Sequence, residues 1–119
     1  MPTNKTEALG AKILSGLGLC ARARALTYGT AMVCEALRDR RPPYLVLEAS
    51  DTSEATHKRL CDKCTFYGVE LVRLPATGVE LAHALGKQST LAAVAVRDEN
   101  LCRVVRRALS DYTEQAENE

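Results

Sequence analysis

Apolar residues recur along this chain with two alternating spacings, and that alternation predicts its elements. Leu9, Ile13, Leu17 and Cys20 stand at helical intervals behind Asn4 and Glu7, which have capping-box spacing, so a first helix is expected from about Lys5 to Ala21. Glycines at 10, 16 and 18 lower its propensity by about 1 kcal/mol each relative to alanine, so packing must hold it, and an end near Gly18 is the shorter alternative. Ala25-Leu26-Thr27-Tyr28 is a short extended segment. Gly29-Thr30 then opens a second helix with Val33 and Leu37 inward, and Pro42-Pro43 forbids its continuation. Tyr44-Leu45-Val46-Leu47 has the unbroken apolar character of a strand buried on both faces. Asp51 with Glu54 predicts the cap of a third helix reaching about Tyr67, where Gly68 ends it.

Residues 69–74 alternate as a strand does, and Thr77 with Glu80 forms another capping box for a short helix over Val79 to Leu85, stopped by Gly86. The run Leu91-Ala92-Ala93-Val94-Ala95-Val96 is the strongest buried-strand signal. From Glu99 onward Leu101, Val104, Val105, Ala108 and Leu109 form an apolar stripe opposite Arg103, Arg106 and Arg107. Strands joined through helical crossovers make a sheet with helices on both faces, which predicts an α/β fold: a three-layer α/β/α sandwich with a central mixed sheet of about four strands. Residues 1–110 are expected to form one domain. Residues 111–119 are polar and acidic without an apolar face, and read as a frayed tail.

Composition narrows the class. With 119 residues, 46% apolar and 26% charged, the chain suits one soluble globular domain and excludes collagen-like, wholly disordered or disulfide-scaffold proteins. Its longest apolar run is far short of the ~20 residues that span a bilayer, so no membrane partner is expected. The start carries no secretory signature, which makes the cytoplasm the expected compartment and its five cysteines thiols. The net charge of +1 hides an asymmetry. Residues 111–119 hold Asp111, Glu114, Glu117 and Glu119 and no base, leaving residues 1–110 with 16 bases against 11 acids. A basic body suits an anionic partner such as RNA, although one Phe, four Tyr and no Trp give little surface for stacking bases.

Among candidate chemistries, His57, Cys61 and Cys64 lie along one helical face and are all zinc-ligand types. No second paired set completes a four-ligand site, and the cysteines sit inside a helix rather than at its N-terminus, so neither a metal nor a redox motif is expected. Leu60, Cys64 and Tyr67 share the apolar side, which makes Cys64 a core residue with Cys61 beside it. No serine elbow, P-loop or Gly-x-Gly-x-x-Gly appears, so no enzyme activity, cofactor or small-molecule substrate is expected. Glu48, Asp51 and Glu54 are explained by capping and solvation at one junction. Gly29-Thr30 offers a helix N-terminus whose first amides lack partners and where a phosphate backbone can approach closely. Arg22 and Arg24 complement the end of the first helix, and Arg38, Arg40 and Arg41 form a further basic cluster at the far end of the second.

Four segments in register, Gly18-Leu19-Cys20-Ala21-Arg22-Ala23, Leu45-Val46-Leu47-Glu48-Ala49-Ser50-Asp51, Asp62-Lys63-Cys64-Thr65-Phe66-Tyr67 and Leu81-Ala82-His83-Ala84-Leu85-Gly86-Lys87, carry a resemblance. Over roughly residues 8 to 109 the chain resembles the bacterial YlxQ-type branch of the ribosomal L-seven-Ae/L-thirty-e family, a kink-turn RNA-binding superfamily. The resemblance implies the same sandwich and a non-catalytic RNA-binding accessory of the ribosome, with structured RNA, ribosomal RNA first, and ribosome or translation factors as partners. In kink-turn binders the loop into the second helix resembles Gly-x-Asn-Glu-x-x-Lys. Laid on Gly29, that motif keeps the glycine and gives Thr30, Ala31 for Asn, Met32 for Glu and Glu35 for Lys. Ala31 and Met32 cannot hydrogen-bond base edges and Glu35 would repel phosphate, so the resemblance implies RNA binding of altered or relaxed specificity. The implied contacts are Gly29, Thr30, Ala31 and Met32, with Arg22, Arg24 and Lys87 if the fold brings their loops to one edge. The alternative is a protein-interaction module on the same fold that has lost RNA affinity.

Overall fold

A computed structural model describes residues 4–118. Five helices and four strands alternate as α1 (Lys5–Arg22), β1 (Leu26–Tyr28), α2 (Thr30–Leu37), β2 (Leu45–Glu48), α3 (Glu54–Tyr67), β3 (Leu71–Arg73), α4 (Gly78–Ala84), β4 (Ala93–Val96) and α5 (Glu99–Glu117). The sheet order is β1-β4-β2-β3, with β4 antiparallel to both neighbours and β2 parallel to β3. This is the three-layer sandwich on a mixed four-stranded sheet that the pattern predicts. None of the described helices is long and apolar enough to cross a membrane.

Strand parity divides the interior in two. Leu45 and Leu47 of β2, with Val94 and Val96 of β4, point into a core shared with α1, α4 and α5. Val46, Ala93 and Ala95 point the other way, onto Val33 and Leu37 of α2 and Leu60 and Cys64 of α3. Helix α1 runs through its glycines because α5 lies against them. A side chain at Gly16 would begin 3.8 Å from the Val105 Cγ2 methyl, so glycine lets the two helices approach closely and burial outweighs the lost propensity.

The structure departs from the sequence reading at four places. Ser53, not Asp51, caps α3, its hydroxyl accepting from the Thr56 amide; the Asp51 carboxylate instead accepts from the Gly78 amide at 2.9 Å and so holds the first turn of α4. Glu48 is not a solvated junction residue but wholly buried. It shares the Val46 face of β2, and there it meets His57 of α3. Val104 lies on the exposed side of α5, and Cys102 takes its place in the core. Finally, α5 continues through residues 111–117, where Tyr112 packs on the core and the Thr113 hydroxyl donates to the Leu109 carbonyl, so this stretch is helical rather than frayed.

Candidate nucleic-acid interface

The turn between β1 and α2 is shaped by Gly29, whose φ of 86° and ψ of 151° lie in a region essentially reserved for glycine. Its amide donates to the Ala93 carbonyl at 2.8 Å, extending the β1–β4 ladder by one bond, and its carbonyl accepts from Val33 at 2.9 Å, starting the helix. The Gly29 N–H is therefore spent inside the fold. The donors left at the helix start are those of Thr30, Ala31 and Met32, which precede the first amide that an intrahelical carbonyl can satisfy. Side chains of Asn4, Ser53, Thr77 and Asp98 cap the other four described helices, whereas α2 has no side-chain cap.

The surroundings leave those amides open to an anion. No acidic residue stands in the first turn of α2, and nothing lies within 4 Å of the point where a Gly29 side chain would begin. Val33, Cys34 and Leu37 turn inward, so Ala31, Met32 and Glu35 occupy the outer face, with Met32 55% exposed. The positions where the resemblance expects base-reading side chains are thus presented to solvent, and they carry a methyl group and a thioether.

Lys87 is brought to the same turn. Its ammonium sits 4.0 Å above the ring of Tyr28, the residue just before Gly29, in a cation–π contact on the face of the sheet that carries α1, α4 and α5. Partial burial, reinforced by Cys20, pushes the Tyr28 hydroxyl upward in pKa, so the ring under the lysine stays neutral. Nothing in the sequence signals this contact, because Tyr28 and Lys87 are remote along the chain. Arg22 lies back over its own helix, where its Nη1 and the Ala84 carbonyl at the end of α4 both line the space over Gly18. Arg24 is not brought to the turn. It lies before β1 and Gly29 after it, so a strand roughly 10 Å long separates them. Its φ of 57° places it in the left-handed region, where its amide bonds the Ala21 carbonyl and the next amide, of Ala25, bonds Cys20, the pattern that ends a helix and usually employs glycine. Arg38, Arg40 and Arg41 are exposed beyond the other end of α2.

Comparisons with known proteins agree with this architecture. A model of the Ribosomal protein L7Ae/L30e/S12e/Gadd45 family matches residues 11–105. The chain is 36% identical over 83 residues to the RNA-binding protein YlxQ of Bacillus subtilis (strain 168), an overlap of 70% of this chain and 80% of that one. A protein of unknown function from Bacillus halodurans C superposes with a TM-score of 0.76 at 33% identity, covering 84% of this chain and 98% of that one. The Giardia lamblia 15.5kD RNA binding protein superposes with a TM-score of 0.71, covering 94% and 92%; at 18% identity, that likeness concerns the fold alone.

Proposed function

The chain belongs to the Ribosomal protein L7Ae/L30e/S12e/Gadd45 family, in its YlxQ-type branch, and from that premise we propose that it is a non-catalytic RNA-binding protein of the cytoplasm, an accessory of the translation machinery. The observation that carries the reading is the start of α2: amides without a side-chain cap and no acid in the first turn, with the Lys87 ammonium over the ring of Tyr28, the residue that leads into the turn. Amides at a helix N-terminus bear partial positive charge and fit phosphate oxygens, and a lysine there releases counterions from the RNA backbone. In this reading Gly29, Thr30, Ala31 and Met32 form the contact turn, Lys87 and Arg22 supply charge, and Arg24 is an outlying phosphate contact. Structured RNA, ribosomal RNA in particular, is its partner.

Relaxed specificity follows from the side chains. Each bidentate base contact in duplex DNA is worth ~1–3 kcal/mol, so replacing two readers by Ala31 and Met32 removes ~2–6 kcal/mol of discrimination on that scale. Glu35 adds repulsion where a lysine would attract. The test is a gel-shift titration of a kink-turn RNA, structured ribosomal RNA and a plain duplex at several salt concentrations. We expect salt-sensitive binding with a preference for the kink-turn under tenfold, and a gain of that preference in an Ala31→Asn, Met32→Glu, Glu35→Lys variant. No binding to any structured RNA at low salt overturns the reading. A second reading, a protein-interaction module without RNA affinity, is favoured by the exposed Met32 side chain. Complexes captured from lysate that survive RNase support it, and complexes that vanish with RNA contradict it.

A further inference from the structure

The α2 turn meets the sheet where β4 starts, at Ala93, and the other end of that strand presents a different surface. There the Arg97 amide donates to the Ala25 carbonyl at 2.8 Å and the Tyr44 amide to the Val96 carbonyl at 2.9 Å, so residues 25, 44 and 97 stand side by side. Arg24 precedes the first of them. Arg38, Arg40 and Arg41 arrive on the loop that runs from the end of α2 into Tyr44. Arg106 reaches in from α5, its Nη2 donating to the Tyr44 carbonyl at 3.1 Å. All six arginines are exposed. Against them stand Asp39, Glu70, which pairs with Arg106, and Asp98, whose carboxylate caps α5; Glu99 turns along its own helix to Arg103. With 16 bases and 15 acids in the whole chain, ten against twelve remain elsewhere, so the positive excess of the protein is gathered at this end.

Aromatic rings accompany the arginines. Tyr44 and Tyr67 line an open cleft of about 680 Å³ together with Arg41, Pro42, Pro43 and Arg106. The Phe66 ring, 80% exposed, stands edge-on to Tyr67 with centroids 4.8 Å apart. Three of the five aromatic side chains of an aromatic-poor sequence thus serve one end of the molecule. Pro42-Pro43 stiffens the backbone between the arginines and Tyr44. Carboxylates would satisfy the arginines alone; the exposed rings beside them match flat π faces as well, which bases supply. We propose that this end of the sheet is a second RNA surface, one that takes a single-stranded segment. Phe66, Tyr44 and Tyr67 stack its bases, and Arg40, Arg41, Arg97 and their neighbours neutralise its phosphates. The proposal extends RNA binding to a separate face and does not depend on the α2 turn.

The probe is a fluorescein-labelled oligouridylate, which forms no structure of its own, titrated against the intact chain by fluorescence anisotropy from low to physiological salt. A kink-turn RNA and poly-glutamate are titrated beside it. We expect the wild-type chain to bind oligouridylate with an affinity that falls steeply with salt. Arg40→Glu combined with Arg41→Glu should weaken that binding at least tenfold and flatten the slope of log affinity against log salt by ~1.4, two phosphate contacts at ~0.7 each. Phe66→Ala should weaken it about five- to hundredfold, the loss of one stacked base, and leave the slope unchanged. The Phe66 ring packs on little beyond Tyr67, so that variant keeps its fold, checked by circular dichroism. Lys87→Glu should weaken the kink-turn RNA and spare oligouridylate, so the two surfaces fail separately. No binding of oligouridylate at low salt, an affinity that either variant of this end leaves unmoved, or equal affinity for poly-glutamate overturns the proposal, whatever the kink-turn RNA does.

Discussion

Removing His57 and removing Glu48 should have very different consequences, although the two side chains form one pair. The Glu48 side chain is 1% exposed and the His57 side chain 42%, so deleting the histidine strands a charge in the interior whereas deleting the glutamate leaves an imidazole that water can still solvate. Breaking a fully buried pair from one side costs ~3–5 kcal/mol; the open cleft at the His57 side lets water reach the stranded carboxylate, so His57→Ala is expected to cost ~2–4 kcal/mol. Glu48→Leu removes the buried charge itself and leaves only the 42% exposed imidazole, which water can solvate, and Glu48 stands opposite Ala93 on the face shared with Val46, Leu60 and Cys64, so this variant should lie within ~1 kcal/mol of wild type. The double variant should regain most of what His57→Ala loses, because the stranded charge is gone. At this chain length ~1 kcal/mol moves Tm by about 4 °C, which places His57→Ala roughly 8–16 °C below wild type. Urea and thermal unfolding of the four proteins at pH 7 give the cycle directly. If His57→Ala unfolds within 2 °C of wild type, or if the two single effects simply add, the buried carboxylate is not held by the histidine and the argument fails.

Other perturbations follow from the same geometry. A bulkier residue at Gly29 meets no steric neighbour but must adopt a glycine-only backbone, so Gly29→Ala should lower stability by ~1–3 kcal/mol in chemical denaturation; wild-type stability would mean the turn relaxes freely. Charge reversal is therefore the cleaner test of the proposed RNA surface, and Lys87→Glu should weaken binding and flatten the salt dependence by about one phosphate contact without changing Tm by more than a few degrees. At Gly78 an added methyl would stand 2.5 Å from the Thr90 methyl and 2.9 Å from the Leu91 carbonyl oxygen, so Gly78→Ala should cost ~1–3 kcal/mol through overpacking, read as a fall in Tm. The Cys64 thiol, raised to about 11 from an ordinary value of 9.0, contributes stability that is complete below pH 9 and lost as the pH rises through 11; Cys64→Ala should lessen the fall of Tm across that window.

The sequence carried the layer plan because periodicity is a local property. An unbroken run such as residues 91–96 reads as a buried strand when helices flank it, and the cap signatures at Asn4 and Thr77 announce helix starts that the structure shows, as a side-chain cap at Asn4 and a full capping box at Thr77. Asp51 was misread for a reason of the same kind. A carboxylate three residues before Glu54 matches a cap, but its oxygen is claimed by an amide 27 positions away, and no local pattern reports a contact at that separation. Glu48 did carry a signal: two positions after Val46 on a strand, it had to face the same interior. The stretch after Ser110 seemed unable to form a helix because it lacks an apolar face of its own, and it continues α5 because Tyr112 finds the core laid down by α1.

By itself, then, the amino-acid order determined the number and kind of elements, the apolar faces that press them into three layers, and the apolar side chains at Ala31 and Met32. Only the tertiary structure decided which distant groups meet: Lys87 over Tyr28, the Gly29 amide consumed by Ala93, and the Glu48 carboxylate against the His57 ring. The division has a physical cause. Element choice depends on neighbours a few residues apart, whereas a site depends on angstrom-scale distances between side chains that the packing of the layers alone fixes.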